Sequence, residues 1–349
     1  MNTVGIGMIG SGYMALTYAE AIARHVAGAR LVAIAGGRRA PSLAADYSVE
    51  AAPSVEALLA RTDVDAVILT TPDQVHCAQT LQAAAAGKHV LAEKPMAPTV
   101  AQCDQMIAAC REAGVKLAVV KTERYRNLTI KAKQLIEQGR IGPIWMLRTI
   151  SCFPEAVGRD ILSSRPWYAD PEGGGLFMSM ASHNADMLLW LTGARPKQVF
   201  AQAHTFGDSG VPAQSVMAQI AFENGIMGHM WISAEMPPPS LPSSEVRFQI
   251  VGARGMLDFE NYEFLDLGAG GGWERLLTPQ RFDYTNEPKS PIRLEPHIRV
   301  VQEFVDSIRE DRQPGVPGEA GRAAVQICEA CLISARSAQA VELPPLKAN

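Results

Sequence analysis

Lys94 stands between Glu93 and Pro95, just after a short apolar run, and His183 stands four residues after Ser179 and three before Asp186. A lysine so placed can donate to a hydroxyl or carbonyl oxygen and offset negative charge as that oxygen deprotonates. Pro95 restricts the backbone before it toward extended geometry, which helps hold the lysine in place. An imidazole titrates near neutral pH, which suits it to take the proton of an alcohol or return one to a carbonyl. Offsets of three and four residues place Ser179, His183 and Asp186 on one face of a helix. Each residue also has a plainer reading: Lys94 as an exposed lysine after a strand, His183 as a hydrogen-bonded interface histidine. A catalytic metal needs at least three suitable ligands; His183 and Asp186 have no third at a matching spacing, so no metal is expected.

A second group of residues lies near the start of the chain. Gly10, Gly12 and Ala15 form G-x-G-x-x-A, with Tyr13 and Met14 between the second glycine and the alanine. In such a run the first glycine permits a tight turn and the second lets backbone approach a pyrophosphate. The alanine keeps the following helix close to the sheet, and the helix N-terminus favours the phosphate charge. The pattern therefore points to a dinucleotide. At the end of the next apolar run, where an NAD site commonly carries an acidic residue for the ribose, the sequence reads Gly36-Gly37-Arg38-Arg39. An arginine there can pair with a ribose phosphate, so the reading favours NADP over NAD, with Gly37, Arg38 and Arg39 on the cofactor side. Thr71 and Pro72 follow a further apolar run and are placed to pass beneath the nicotinamide ribose. His76 opens the next helix as a cap or cofactor-loop residue, and Glu93 and Lys94 complete the cofactor side.

The elements needed to hold these residues are readable from periodicity. Short apolar strands are expected at Val4 to Ile9, Leu31 to Ala35, Ala66 to Thr70, His89 to Ala92 and Leu117 to Val120. Helices at Met14 to Val26, Val55 to Leu59, Val75 to Ala86 and Val100 to Ala113 separate them, which describes a parallel sheet covered on both faces. After residue 122 the rhythm changes. A helix is expected from Leu128 to Gln138 and a strand from Trp145 to Cys152. The run from Pro154 to Gly175 is rich in turn formers and reads as a long binding loop, and a helix follows from Met178 to Leu191. Alternating runs between Lys197 and Ala234 and between Val246 and Leu265 read as a largely antiparallel open sheet with helices on its other face. Gly268 to Pro291 reads as loop, and two late helices, Pro296 to Arg309 and Gly318 to Ala338, close the chain.

The 349 residues fit two domains, and their 32 basic and 36 acidic side chains are well mixed, with no basic block to neutralise several phosphates of a nucleic acid. No apolar run reaches the roughly 18 to 20 residues of a membrane span. The start of the chain lacks the basic and apolar segments of a secretory leader, so a cytoplasmic protein is expected. The cysteines are scattered and make no disulfide framework; Cys328 and Cys331 are spaced as C-x-x-C but read as helix-packing residues.

Taken together, the glycine-rich entry at Gly10 to Ala15, the Glu93-Lys94-Pro95 triplet and the glycine run Gly173 to Gly175 leading into the His183 helix make the chain similar to the glucose-fructose oxidoreductase, inositol dehydrogenase and rhizopine catabolism (Gfo/Idh/MocA) family along nearly its whole length. The resemblance implies an α/β protein. Its N-terminal Rossmann dinucleotide-binding domain would span 1–124. A C-terminal α/β domain on a largely antiparallel open sheet, serving substrate binding and oligomerisation, would span 125–349, with the late helices packing back toward the N-terminal domain. It implies reversible oxidation of a sugar, cyclitol or related cyclic polyol with Lys94 and His183 in the active site, in a homodimer or homotetramer. Lys121, Glu123, Arg124 and Tyr125, together with Arg165, Trp167 and Tyr168, are the expected substrate-side residues, with Ser179 and Asp186 beside His183. Many family members carry Asp where this chain has Ser179, and serine neither shares a proton as a carboxylate does nor strengthens a neighbouring histidine by charge. Trp167 and Tyr168, with Lys121, Arg124 or Arg165 to pair an acid, leave open an aromatic-derived dihydrodiol or carboxylated semialdehyde as substrate, and the serine leaves open a noncatalytic dinucleotide-sensing protein.

Overall fold

The computed structural model describes residues 3–170, 175–282 and 287–344. Its first strand, β1 (Val4–Ile9), is buried at every position, as a parallel strand covered on both faces must be. The chain continues through α1 (Tyr13–Arg24), β2 (Ala29–Ala35), α2 (Ala40–Asp46), β3 (Glu50–Ala51), α3 (Val55–Leu59), β4 (Ala66–Leu69), α4 (His76–Ala85), β5 (His89–Ala92), α5 (Val100–Glu112) and β6 (Leu117–Val119). The six strands form one sheet in the order β3-β2-β1-β4-β5-β6, and each neighbouring pair is parallel. The order reverses between β1 and β4, so their carboxyl ends open a crevice at the switch point, the usual ligand position of such sheets. Helix α2 and strand β3 were not marked by periodicity, being too short to repeat a pattern.

Next come α6 (Asn127–Glu137), β7 (Ile144–Pro154), α7 (Glu155–Ser164), α8 (Gly175–Thr192), β8 (Pro196–His204), β9 (Ser215–Phe222), β10 (Met227–Met236), β11 (Arg247–Gly252), β12 (Met256–Glu260), β13 (Phe264–Ala269) and β14 (Gly272–Leu277). The long binding loop expected after Pro154 is instead largely helix α7 followed by a 3-10 turn, Pro166–Ala169. Gly158, which reads as a turn former, is there for contact: a Cβ on it would lie 2.3 Å from the Ala234 carbonyl oxygen of β10. The loop expected from Gly268 likewise holds β14, whose residues are nearly all exposed and so carry no alternation to read.

Helix α9 (Pro291–Arg309), helix α10 (Gly318–Ser337) and strand β15 (Val341–Glu342) end the described chain. The second sheet has nine strands in the order β14-β13-β12-β11-β7-β10-β9-β8-β15. Its pairs are antiparallel apart from β7 with β10. One face takes helical cover; Ser334 of α10, for example, accepts from the Ala201 amide of β8 at 2.9 Å. On the other, Met256, Val251, Met146 and Met227 follow one another across β12, β11, β7 and β10, and Met227 is 60% exposed.

Contacts divide the chain into two units, 1–125 with 282–322 and 126–281 with 323–349. In the first, Val300, Val301, Phe304 and Val305 of α9 join the same core as Tyr18 and Ile22 of α1. Among the described residues no helix is long and apolar enough to cross a membrane.

Candidate active site

In the first unit the glycine-rich turn joins β1 to α1. Gly10 has φ +109°, and a Cβ on it would lie 2.5 Å from Thr70 Oγ1; only glycine serves on both counts. Gly12 caps α1, with neither a side-chain cap nor an acidic residue in the first turn. A Cβ on Gly12 would meet nothing nearer than an Arg39 guanidinium nitrogen at 3.9 Å. Free first-turn amides beneath open space suit a pyrophosphate, and the residues present therefore fit a dinucleotide. Ala15 is fully buried, Tyr13 is exposed and Met14 partly buried.

Gly36 and Gly37, both at φ +80°, turn the chain after β2. Gly37 packs so closely on Ser11 that an added Cβ would lie 2.4 Å from its hydroxyl oxygen. The turn leaves Arg38 and Arg39 exposed. Next to β4, Thr71 donates to Gln79 Oε1 at 2.6 Å, and Pro72 is half-buried. His76 is buried at the head of α4.

At the end of β5, Glu93 is buried. Its carboxylate accepts from the Tyr18 hydroxyl at 2.5 Å and from the Lys94 amide at 2.8 Å. Burial raises the Glu93 pKa, against the opposing pull of the Lys94 and Lys121 charges and of these hydrogen bonds. Lys94 itself is half-buried and joined to Pro95 by a cis peptide bond. Lys121 and Glu123 are buried after β6, whereas Arg124 and Tyr125 are half-buried. Tyr18 and Arg293 carry no motif and escape a reading by spacing. Arg293 lies buried in the first turns of α9, donates to Thr17 Oγ1 at 2.9 Å and stacks 4.5 Å from the Tyr13 ring centre.

In the second unit α8 carries Ser179, His183 and Asp186. Ser179 and Asp186 are buried and His183 half-buried. Helix α8 is pinned to β7 next to His183, because the buried Asn184 amide donates to Ser151 Oγ at 3.0 Å and also to Thr149. Ser179 donates to the Tyr168 hydroxyl at 2.8 Å. Trp167 meets Tyr168 edge-on at 5.8 Å between ring centres, and Arg165 ends α7 half-buried. Gly173 and Gly174 of the glycine run lie outside the described residues, while Gly175 begins α8 at φ +69°. No group of three His, Cys, Asp or Glu side chains able to hold a metal occurs among the described residues.

A parallel sheet in this order, with a glycine-rich turn at its switch point, defines a dinucleotide-binding protein. Residues 4–121 match the model of an oxidoreductase family with an NAD-binding Rossmann fold, and residues 129–258 match the Gfo/Idh/MocA C-terminal domain. The two matches together take in most of the chain, which belongs to the Gfo/Idh/MocA family of NAD(P)-dependent oxidoreductases. The chain is similar to inositol 2-dehydrogenase of Rhizobium meliloti, 26% identical over 342 residues that cover 95% of this chain and 97% of that one. It is 33% identical to 1,5-anhydro-D-fructose reductase of Ensifer adhaerens over 211 residues, 58% of this chain and 59% of the relative. Among solved structures, the WlbA dehydrogenase from Bordetella pertussis in complex with NADH and UDP-GlcNAcA superposes with a TM-score of 0.80 at 27% identity, covering 98% of this chain and 99% of that one.

Proposed function

We propose that the protein reversibly oxidises a hydroxyl carbon of a sugar, cyclitol or related cyclic polyol, with the second unit supplying most of the substrate-binding residues. The observation that carries this reading is Lys94 fixed at the carboxyl end of β5 beside the buried Glu93, on the ligand side of a dinucleotide-binding sheet. A nicotinamide cofactor held on this sheet would supply the hydride acceptor in oxidation and the donor in reduction. Lys94 donates to the reacting oxygen and steadies its developing charge. His183 takes the hydroxyl proton in oxidation and gives it back in reduction. Trp167 offers an apolar wall to a ring, with Tyr168 and Ser179 as polar contacts and Lys121, Arg124, Tyr125, Arg165 and Asp186 as further substrate-side residues. The names of the inositol and anhydrofructose relatives support this substrate class.

For the cofactor, Gly10, Gly12, Tyr13 and Met14 take the pyrophosphate side and Thr71, Pro72, His76 and Glu93 the nicotinamide side. NADP is preferred. Arg38 and Arg39 stand exposed just after β2, where a ribose phosphate would give them a counter-charge. Six free cysteines support a reducing compartment, the cytoplasm.

The test is nicotinamide absorbance with NADP and NAD against sugars, cyclitols, dihydrodiols and hydroxy acids. We expect turnover of a cyclic polyol or sugar and an NADP advantage that Arg38→Ser with Arg39→Ser abolishes. Lys94→Ala and His183→Ala are each expected to lose at least about 100-fold in kcat. Full turnover by either variant, folded and binding cofactor normally, would reject its role.

A further inference from the structure

His76 is 1% exposed, and its ring lies between two main-chain carbonyls. Nε2 stands 2.9 Å from the Thr71 oxygen and Nδ1 3.2 Å from the Pro95 oxygen. Thr71 belongs to the loop after β4, and Pro95 directly follows Lys94 after β5. Carbonyl oxygens only accept, so each ring nitrogen can hold its loop only by donating. The segment carrying Lys94 is thus gripped on both sides by buried groups, Glu93 taking its amide at 2.8 Å and His76 facing the next carbonyl. Burial lowers the His76 pKa, while the carbonyls of Thr71, Pro95 and Met96 oppose that by favouring the charged ring. A neutral ring has a single N–H and satisfies one carbonyl at a time.

We infer that His76 is a positioning residue, coupling the loop after β4 to the Lys94 segment so that Lys94 is held in register with the nicotinamide side of the cofactor. This rests on the function proposed above for Lys94. The side chain touches no reacting atom; it acts through the main chain of Pro95. Asparagine and glutamine divide its two contacts, since an Asn amide sits near the place of Nδ1 and a Gln amide near that of Nε2.

The test compares His76→Leu, His76→Asn and His76→Gln by hydrogen exchange on the protein without cofactor and by steady-state kinetics, with Lys94→Ala alongside. In His76→Leu we expect faster amide exchange confined to residues 70–73 and 94–98. Its kcat should fall about 10- to 100-fold, the scale on which small misplacements act, with substrate KM changing less than about threefold. Asn should recover most of kcat through the Pro95 contact, and Gln should recover the protection of 70–73 instead. Parental exchange in both loops for His76→Leu overturns the inference, and so does an equal loss in all three variants that follows a lowered melting point. Full turnover by Lys94→Ala would reject the functional reading instead, and the exchange measurement would still decide whether His76 couples the loops.

Discussion

Glu260 ends β12 with its side chain buried, accepting from the amides of Val246 at 2.9 Å and Tyr262 at 2.8 Å. Burial pushes its pKa up to about 7; the two amides pull it down, and Glu245 and Glu263 add to the rise. In the unfolded chain a glutamate titrates near 4.3. Between those values the folded protein binds more protons than the unfolded chain, so this contribution to stability is full below about pH 4.3 and is lost as pH rises toward 7. Melting midpoints from pH 5 to 8 should therefore fall less steeply in Glu260→Gln than in the parent; an identical slope would show that Glu260 does not titrate in this range. Single residues differ in how far sequence reveals them. Gly10, Gly12 and Lys94 announce themselves because their neighbours along the chain define their surroundings. The partners of His76 lie five residues before it and nineteen after it, and only the folded sheet brings them to one ring. Ser179 shows its identity in the sequence, but its bond to Tyr168 does not.

Five of the six strands of the first sheet are legible to within two residues, because buried parallel strands are unbroken apolar runs; β3, only two residues long, carries no such run. Helix α7 is not legible, since a glycine that permits lateral packing looks the same in sequence as one that permits a turn. This gives a prediction with an unusual sign. Gly→Ala inside a helix ordinarily gains about 0.5 to 1 kcal/mol, but at Gly158 the new methyl would press on the Ala234 carbonyl at 2.3 Å. We expect Gly158→Ala to lower the melting point, and a raised one would refute close packing of α7 on β10. Strand β14 escaped for a different reason: an exposed edge strand has no buried face to impose alternation.

At the scale of the molecule, the open face of the nine-stranded sheet bears Met256, Val251, Met146 and Met227 in a row, with Phe200 and Met217 also exposed. An apolar face of this kind is costly to leave in water, which agrees with the homodimer or homotetramer that the family resemblance implies. Light scattering should give a mass of two or four chains, and Met227→Lys with Met217→Lys should shift it to one; a monomeric parent would rule out that assembly.

Chain order adds one further consequence. Helix α9 completes the core around α1 but is made only after the whole stretch 126–281. During synthesis at about 5 to 20 residues per second, the N-terminal unit spends on the order of ten seconds or more outside the ribosome with its α1 flank uncovered. That interval is a window for a chaperone able to shield an apolar helix, and a chain terminated at residue 281 would never leave it.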